Sequence, residues 1–225
     1  VTEPVPLALQ IAVRVERDDP PTTAGAAAAA AIATIALLDD PRSRPGGPWQ
    51  DAVERWNSGR VRKIVRRGRG AAWRRAQEIE GVTVTVDGVQ ARAYVPGPVD
   101  EAPQAVTRLQ IQSTPLDDPP RVATLPPETG LVVAVTPGVE MSWGKQAAQC
   151  AHAAHRAWRR APNAARQRWT AAGRPIVVVH PTAELWERLV DEADVEIRDG
   201  GFTEIPAGTR TAVARWIEPF ESFEQ

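Results

Sequence analysis

Apolar positions along this chain come as short β-branched runs and longer alanine-rich blocks, set apart by Pro/Gly turns. Leu7 to Val15 (LALQIAVRV) has the length and Val/Ile content of a strand. Thr22 and Thr23 then open an alanine-rich block that reads as a helix ending near Asp40-Pro41. After the turn Pro45-Gly-Gly-Pro48 come a helical segment Trp49 to Trp56, a basic strand Arg62 to Arg67 and a helix Gly70 to Glu80. Val82 to Val86 alternates as a strand into Asp87-Gly88, Ala91 to Val95 is a further extended run, and Ala105 to Ser113 reads as a last strand.

From residue 129 the same order of elements returns. Strand Leu131 to Val135 answers Leu9 to Val13, and helix Gly144 to Trp158 answers Gly25 to Leu38. Trp169-x-x-x-Gly-Arg174 answers Trp56-x-x-Gly-Arg60, each leading into a strand, and Trp186 answers Trp73 in the helix after it. Val195-Glu-Ile-Arg-Asp199-Gly answers Val82-x-Val-x-Val-Asp87-Gly88, and Ala212-Val-Ala-Arg215 answers Ala105-Val-Thr-Arg108. Landmarks in one shared order imply an internal duplication. The expected architecture is α/β: two tandem copies of a small mixed-sheet unit, helices packed on the sheet, arranged as a pseudo-dimer about a pseudo-twofold axis. The expected units are residues 1–113 and 129–225, joined by a proline-rich extended linker, residues 114–128.

The copies part company in their main helix. At about 100° per residue Lys145, Gln149 and His152 share one face of the second-copy helix, with Ser142 as its N-cap, while Cys150 and Ala154 turn toward a core. A cation in the first turn opposes the helix dipole unless an anion or a developing negative charge sits there. In the first copy the three polar positions are Ala26, Ala30 and Ala33. The first unit thus keeps the scaffold and loses the stripe.

Composition adds two points. Of the 27 basic residues all but Lys63 and Lys145 are arginine, so a shiftable amine stands at only two places. Net charge is −1, yet Arg60, Arg62, Lys63, Arg66, Arg67, Arg69, Arg74 and Arg75 lie together without an acid, which fits either a phosphate-binding surface or a solvated arginine-rich face. One cysteine leaves no internal disulfide, and His152 and His155 lack a third ligand, so no metal is expected. The alanine block is too short and too weakly apolar for a membrane span, and its acidic flanks do not suit a signal peptide. The expectation is a cytoplasmic protein with no membrane contact.

Three strings carry a family resemblance: Gly144-Lys-Gln-Ala-Ala-Gln-Cys-Ala-His-Ala153, then Ala172-Gly-Arg-Pro-Ile-Val-Val-Val179, then Asp199-Gly-Gly-Phe-Thr203-Glu-Ile-Pro-Ala-Gly208-Thr-Arg-Thr211. In this order and spacing they resemble the second class of peptidyl-tRNA hydrolase, over about residues 129–219. The resemblance implies hydrolysis of the ester joining a peptide to the 3′ end of tRNA, without a cofactor. It places catalytic roles on Lys145, Gln149, Asp199, Thr203 and Thr211, and substrate contacts on Trp143, Gly144, His152, Arg174 and Arg210. Asp199 would accept a proton or orient water, Lys145 would meet the oxyanion or a phosphate, and Trp143 would be exposed to stack on the terminal adenine. The pattern departs at Glu140 and Trp143, where the family often carries lysine, and at Pro206, one residue early. Partners follow: tRNA as substrate, and a monomer of fused units that leaves room for further dimerisation. The competing reading is a non-catalytic member of the same fold that binds RNA or protein.

Overall fold

Alanine gives up no side-chain freedom in a helix and leaves the backbone close to its neighbours, and the alanine block forms helix α1 (Thr23–Asp39), capped by Thr22, whose Oγ1 accepts from Gly25 N at 3.1 Å. Nearly every residue of α1 is buried, so the helix has no solvent face. The computed structural model describes residues 5–111, 115–126, 130–201 and 203–217. Before α1 runs β1 (Leu7–Arg14); after it come a short 3-10 turn, α2 (Gln50–Ser58), edge strand β2 (Lys63–Gly68), α3 (Gly70–Ala76), the hairpin β3 (Gly81–Val86) and β4 (Val89–Tyr94), β5 (Gly97–Pro98) and α4 (Gln104–Thr107). The second unit has β6 (Leu131–Val135), α5 (Trp143–Arg160), α6 (Asn163–Ala171), β7 (Ile176–Val179), α7 (Ala183–Asp191), β8 (Val195–Arg198) and β9 (Arg210–Trp216).

The two sheets repeat one another strand for strand. Their orders are β2-β1-β4-β3 and β7-β6-β9-β8, and β5 adds to β1 alone. In each, the first two strands in the chain are parallel, as a βαβ crossover requires, and the remaining pairings are antiparallel. Small features repeat as well. Trp56 Nε1 donates to Arg62 O at 2.9 Å and Trp169 Nε1 to Pro175 O at 2.8 Å, and those same carbonyls accept the N–H of Leu9 and of Leu131.

Alternation along β1 and β6 sends side chains to both faces of each sheet, into one shared core and two outer clusters. Leu9, Ile11 and Val13, with Leu131, Val133 and Val135, face inward onto one shared core that contains α1 and α5. Ala12 meets Trp73, Tyr94, Val106 and Leu109 on one outer face, and Val132 and Ala134 meet Leu185 and Leu189 on the other. Helix α1 packs on α5 and on β7 of the other unit, and α5 reciprocates on β2. Facing alanines let the two central helices approach closely. The chain is thus a layered α/β structure with the helix pair between the sheets.

One expected element is wrong. Gln104–Thr107 is helical, not part of a strand: Pro103 is the N-cap of α4, and Val106 and Leu109 share a face against Trp73 at helical spacing. Only Gln110 makes a bridge, to Arg67, and residues 112–113 lie outside those described. The counterpart of β9 is therefore β4, as the sheet order shows. The described stretch 115–126 is pinned to both units: Thr23 N–H donates to Asp117 O at 3.0 Å, and Val122 exchanges hydrogen bonds with His180 O and Thr182 N.

Candidate active site

Ser142 caps α5, its Oγ accepting from Lys145 N at 3.2 Å while donating to Glu204 Oε1 at 2.7 Å. Glu204 Oε2 also takes the Ser142 N–H at 2.8 Å. The cap therefore ties the start of α5 to the loop, residues 199–209, that joins β8 to β9. The neck of that loop is closed by Asp199 N–H to Thr209 O at 2.9 Å and Gly208 N–H to Asp199 O at 2.8 Å. Inside it Gly201 has φ +76°, and a Cβ there would meet Ala207 N at 2.8 Å, so only glycine fits this bend.

These constraints bring the five expected catalytic residues together. Lys145 Nζ lies 2.5 Å from Asp199 Oδ2 and donates to Thr203 Oγ1 at 2.9 Å. Gln149 Nε2 donates to the same Oδ2 at 2.6 Å, and its Oε1 accepts from Thr211 Oγ1 at 3.0 Å. Gly201 N–H donates to Asp199 Oδ1 at 2.8 Å. The Asp199 side chain is 4% exposed and that of Lys145 13%, so the ion pair sits in a partly dry recess where its field is strong. Carboxylate oxygens each offer two lone pairs. Oδ2 is filled by two donors, whereas Oδ1 holds one and can receive another. Among the described residues Lys145 spends two of its three N–H bonds, on Asp199 and Thr203, and the third stands at the positive end of α5. The arrangement can orient a water at Oδ1 and meet a developing anion at Nζ.

The remaining expected contacts divide. Gly144 is in the first turn of α5, where a Cβ would lie 3.8 Å from Val65 O and 3.7 Å from Ile111 O, so backbone of the first unit borders the site. His152 is half-buried on the Lys145–Gln149 face. Arg210 Nε stands 2.9 Å from Glu196 Oε2, on the strand next to the loop. Trp143 is 5% exposed and packs in the shared core, so it is not a stacking platform; the reason is that α5 lies between two sheets and its first turn already faces inward. Arg174 sits before β7, at the other end of the β6–β7 pair from the loop, and pairs with Asp39 Oδ2 at 2.9 Å. It ties the units together and does not approach Lys145.

Cys150 is fully buried, and burial pushes its thiol up to about 12, consistent with a core position and no nucleophilic role. The arginine cluster of the first unit is also divided. Arg66 is buried, with Nε donating to Gln10 Oε1 at 2.9 Å and Nη1 to the carbonyls of Thr107 and Leu109. Arg67 reaches Val15 O at 3.3 Å. Arg60, Arg69, Arg74 and Arg75 are exposed. Lys63, placed by the sequence in this basic run, is buried under α5 instead, and the one signal of that difference was its being lysine among arginines.

Among the described residues no helix is long and apolar enough to cross a membrane. No curated protein matches the chain. Residues 129–222 match the family model described as peptidyl-tRNA hydrolase PTH2, so the C-terminal unit, which holds the whole Lys145–Asp199 group, is similar to that family.

Proposed function

We propose that the C-terminal unit hydrolyses the ester of peptidyl-tRNA, releasing peptide and free tRNA. The observation that carries the reading is the buried Lys145–Asp199 pair with Gln149, Thr203 and Thr211 around it, inside the matched span. Water bound at Asp199 Oδ1 attacks the ester carbonyl, and Asp199 orients it and takes its proton. The third N–H of Lys145 and the Thr203 hydroxyl stabilise the tetrahedral oxyanion; a single donor of this kind contributes about 10²–10³ in turnover. Gln149, held by Thr211, fixes the carboxylate. The leaving 3′ oxygen departs with the proton returned from Asp199.

The same reading takes the two units as copies of one ancestral unit, 1–113 and 129–225, standing about a pseudo-twofold axis, with the first copy structural. Their matching sheet orders and matching Trp56 and Trp169 hydrogen bonds support it. Binding to tRNA would rest on phosphate contacts and therefore weaken with salt.

The test is release of peptide from N-acetyl-aminoacyl-tRNA by the full chain and by Lys145→Ala, with a chelated control. Turnover that chelation leaves intact and the substitution abolishes supports the reading. An inactive wild-type chain that still binds tRNA in a salt-sensitive way would replace it with the non-catalytic RNA-binding member.

A further inference from the structure

The boundary between the units holds a second group of basic side chains that the proposed chemistry does not use. Lys63, on β2 of the first unit, is 6% exposed. Its Nζ lies 3.1 Å from His152 Nδ1 and 3.2 Å from His155 Nδ1, both on α5, within hydrogen-bond reach of each ring. Trp56 closes the group: its ring centroid is 5.0 Å from Nζ, and it stacks on His155 at 5.4 Å with an interplanar angle of 12°. Among the described residues no carboxylate bonds or pairs with Lys63.

The two imidazoles differ in what their second nitrogen does. Nε2 of His155 is enclosed without a partner. Among the described residues Nε2 of His152 has no partner either, but unlike that of His155 it is not fully enclosed. His152 stands one turn from Gln149 on the helix face that also carries Lys145. An imidazole that accepts at Nδ1 carries its proton on Nε2.

We propose that Lys63 is a positioning residue for the site on the other unit: it donates to Nδ1 of His152 and so fixes that ring, uncharged, with Nε2–H presented to substrate bound beside Gln149. What His152 touches rests on the hydrolase reading; how Lys63 holds it does not. Burial and the surrounding charges act in the same sense. His152 is held well below the usual imidazole range by burial, and then by Lys63, His155, Lys145 and Arg156. His155 is held down by burial, then by Lys63, Arg159 and Arg156. Burial likewise holds the Lys63 amine far below its ordinary value, which a guanidinium at this position could not follow. Every group acting on the two rings is basic, so protonation has nothing to favour it. A unit without its own stripe thereby contributes a residue to the stripe of its neighbour.

The experiment is nitrogen–proton correlation NMR of the histidine side chains in the full chain, wild type and Lys63→Met, from about pH 5 to pH 8, beside kcat and KM for peptide release. The wild-type spectrum should show His152 as the Nε2–H tautomer with no titration near the ordinary imidazole value. In Lys63→Met, where Nδ1 of His152 loses its partner while its surroundings stay buried, the ring should become a mixture of tautomers, and kcat/KM should fall about tenfold, the weight of one hydrogen bond. His155→Phe keeps the stack on Trp56 and should leave the His152 spectrum and the kinetics close to wild type. An Nδ1–H tautomer or an ordinary titration of His152 in the wild-type chain overturns the proposal, whether or not Lys63→Met folds. So does a Lys63→Met chain whose His152 becomes a tautomer mixture while kcat/KM stays unchanged. A chain without turnover would remove the hydrolase reading, and the spectra would still decide whether Lys63 holds His152.

Discussion

Helices α1 and α5 occupy matching places between the sheets, and they spend their surfaces differently. Both are capped at the start by a hydroxyl, Thr22 on Gly25 N at 3.1 Å and Ser142 on Lys145 N at 3.2 Å. Helix α1 presents alanine in every direction and is buried all round. Helix α5 keeps alanine toward the core and sets Lys145, Gln149 and His152 on one stripe. The hairpins after them differ in the same way. The first unit turns β3 into β4 through Asp87 and Gly88, at φ 45° and 81°, the tight two-residue turn that favours Asp-Gly. The second replaces that turn with the loop carrying Asp199 and Thr203. Shape and chemistry are therefore separable in this fold: sheet order, caps and buried tryptophans are found in both units, while the polar stripe and the long loop are both found in the second.

The largest expected effect sets one hairpin against the other. Asp199→Asn keeps the shape of the side chain and removes the charge that holds Lys145 and orients water, so turnover in peptide release should drop by about 10²–10³ or more. Asp87→Asn at the matching position should leave turnover unchanged, since asparagine tolerates the same backbone angle. Equal losses from both would mean that the first hairpin is part of the site.

The tryptophans test the part of the comparison that predicts sameness. Trp56 and Trp169 are both fully buried and donate to matching carbonyls. Trp56→Ala and Trp169→Ala should each cost about 3–5 kcal/mol in urea unfolding, the usual range for deleting a core tryptophan. A cheap loss at one of them would show that the two units do not share a structural plan in energetic terms.

Acid should separate the α5 surroundings from those of α1. His152 and His155 are held well below the usual imidazole range in the folded chain, mainly by burial, so between about pH 6.5 and their folded values the unfolded chain binds more protons. Stability then rises with pH, and it is lost as pH falls from about 6.5 downward. Lys63, also held down, extends the same sense above neutrality: stability keeps rising with pH until about 10.4, its unfolded value. Urea midpoints measured across this range should follow that slope, and Lys63→Met should remove its alkaline part. A flat profile above neutral pH would show that Lys63 is charged in the folded chain.

The strand runs and the alanine block could be read directly because strand alternation and alanine propensity are local properties. The grouping of Lys145 and Gln149 with Asp199, Thr203 and Thr211 could be read because the first two recur at helical spacing and because the Asp199–Thr211 string keeps its order. What could not be read was set by packing between units. Trp143 looked exposed beside Gly144, but the sheet of the first unit covers that turn. Lys63 and Arg66 looked like members of a basic surface, and their place on an edge strand under α5 and α4 turns them inward. Ala105 to Arg108 looked like a strand because it echoed Ala212 to Arg215 in sequence, whereas its apolar residues at helical spacing met Trp73.

The smallest effect is also the one that joins stability to chemistry. Removing a hydroxyl cap costs about 1 kcal/mol, so Thr22→Ala and Ser142→Ala should lower the unfolding midpoint by similar amounts. Their effects on turnover should differ. Thr22 caps a helix that carries no reactive group, and its loss leaves the Lys145–Asp199 pair untouched. Ser142 gives two hydrogen bonds to Glu204, at 2.7 and 2.8 Å, one from its hydroxyl and one from its backbone N–H. Alanine removes the first and keeps the second, so the loop stays attached but loses the bond that sets the distance between Thr203 and the start of α5. Thr203 would then meet Lys145 less often, and kcat should fall a few-fold with KM little changed, since that contact acts on the oxyanion and not on the bound ester. Equal kcat for the two variants would mean that the loop is held by its own neck at Asp199 and Gly208, and that the Ser142 cap serves only the helix.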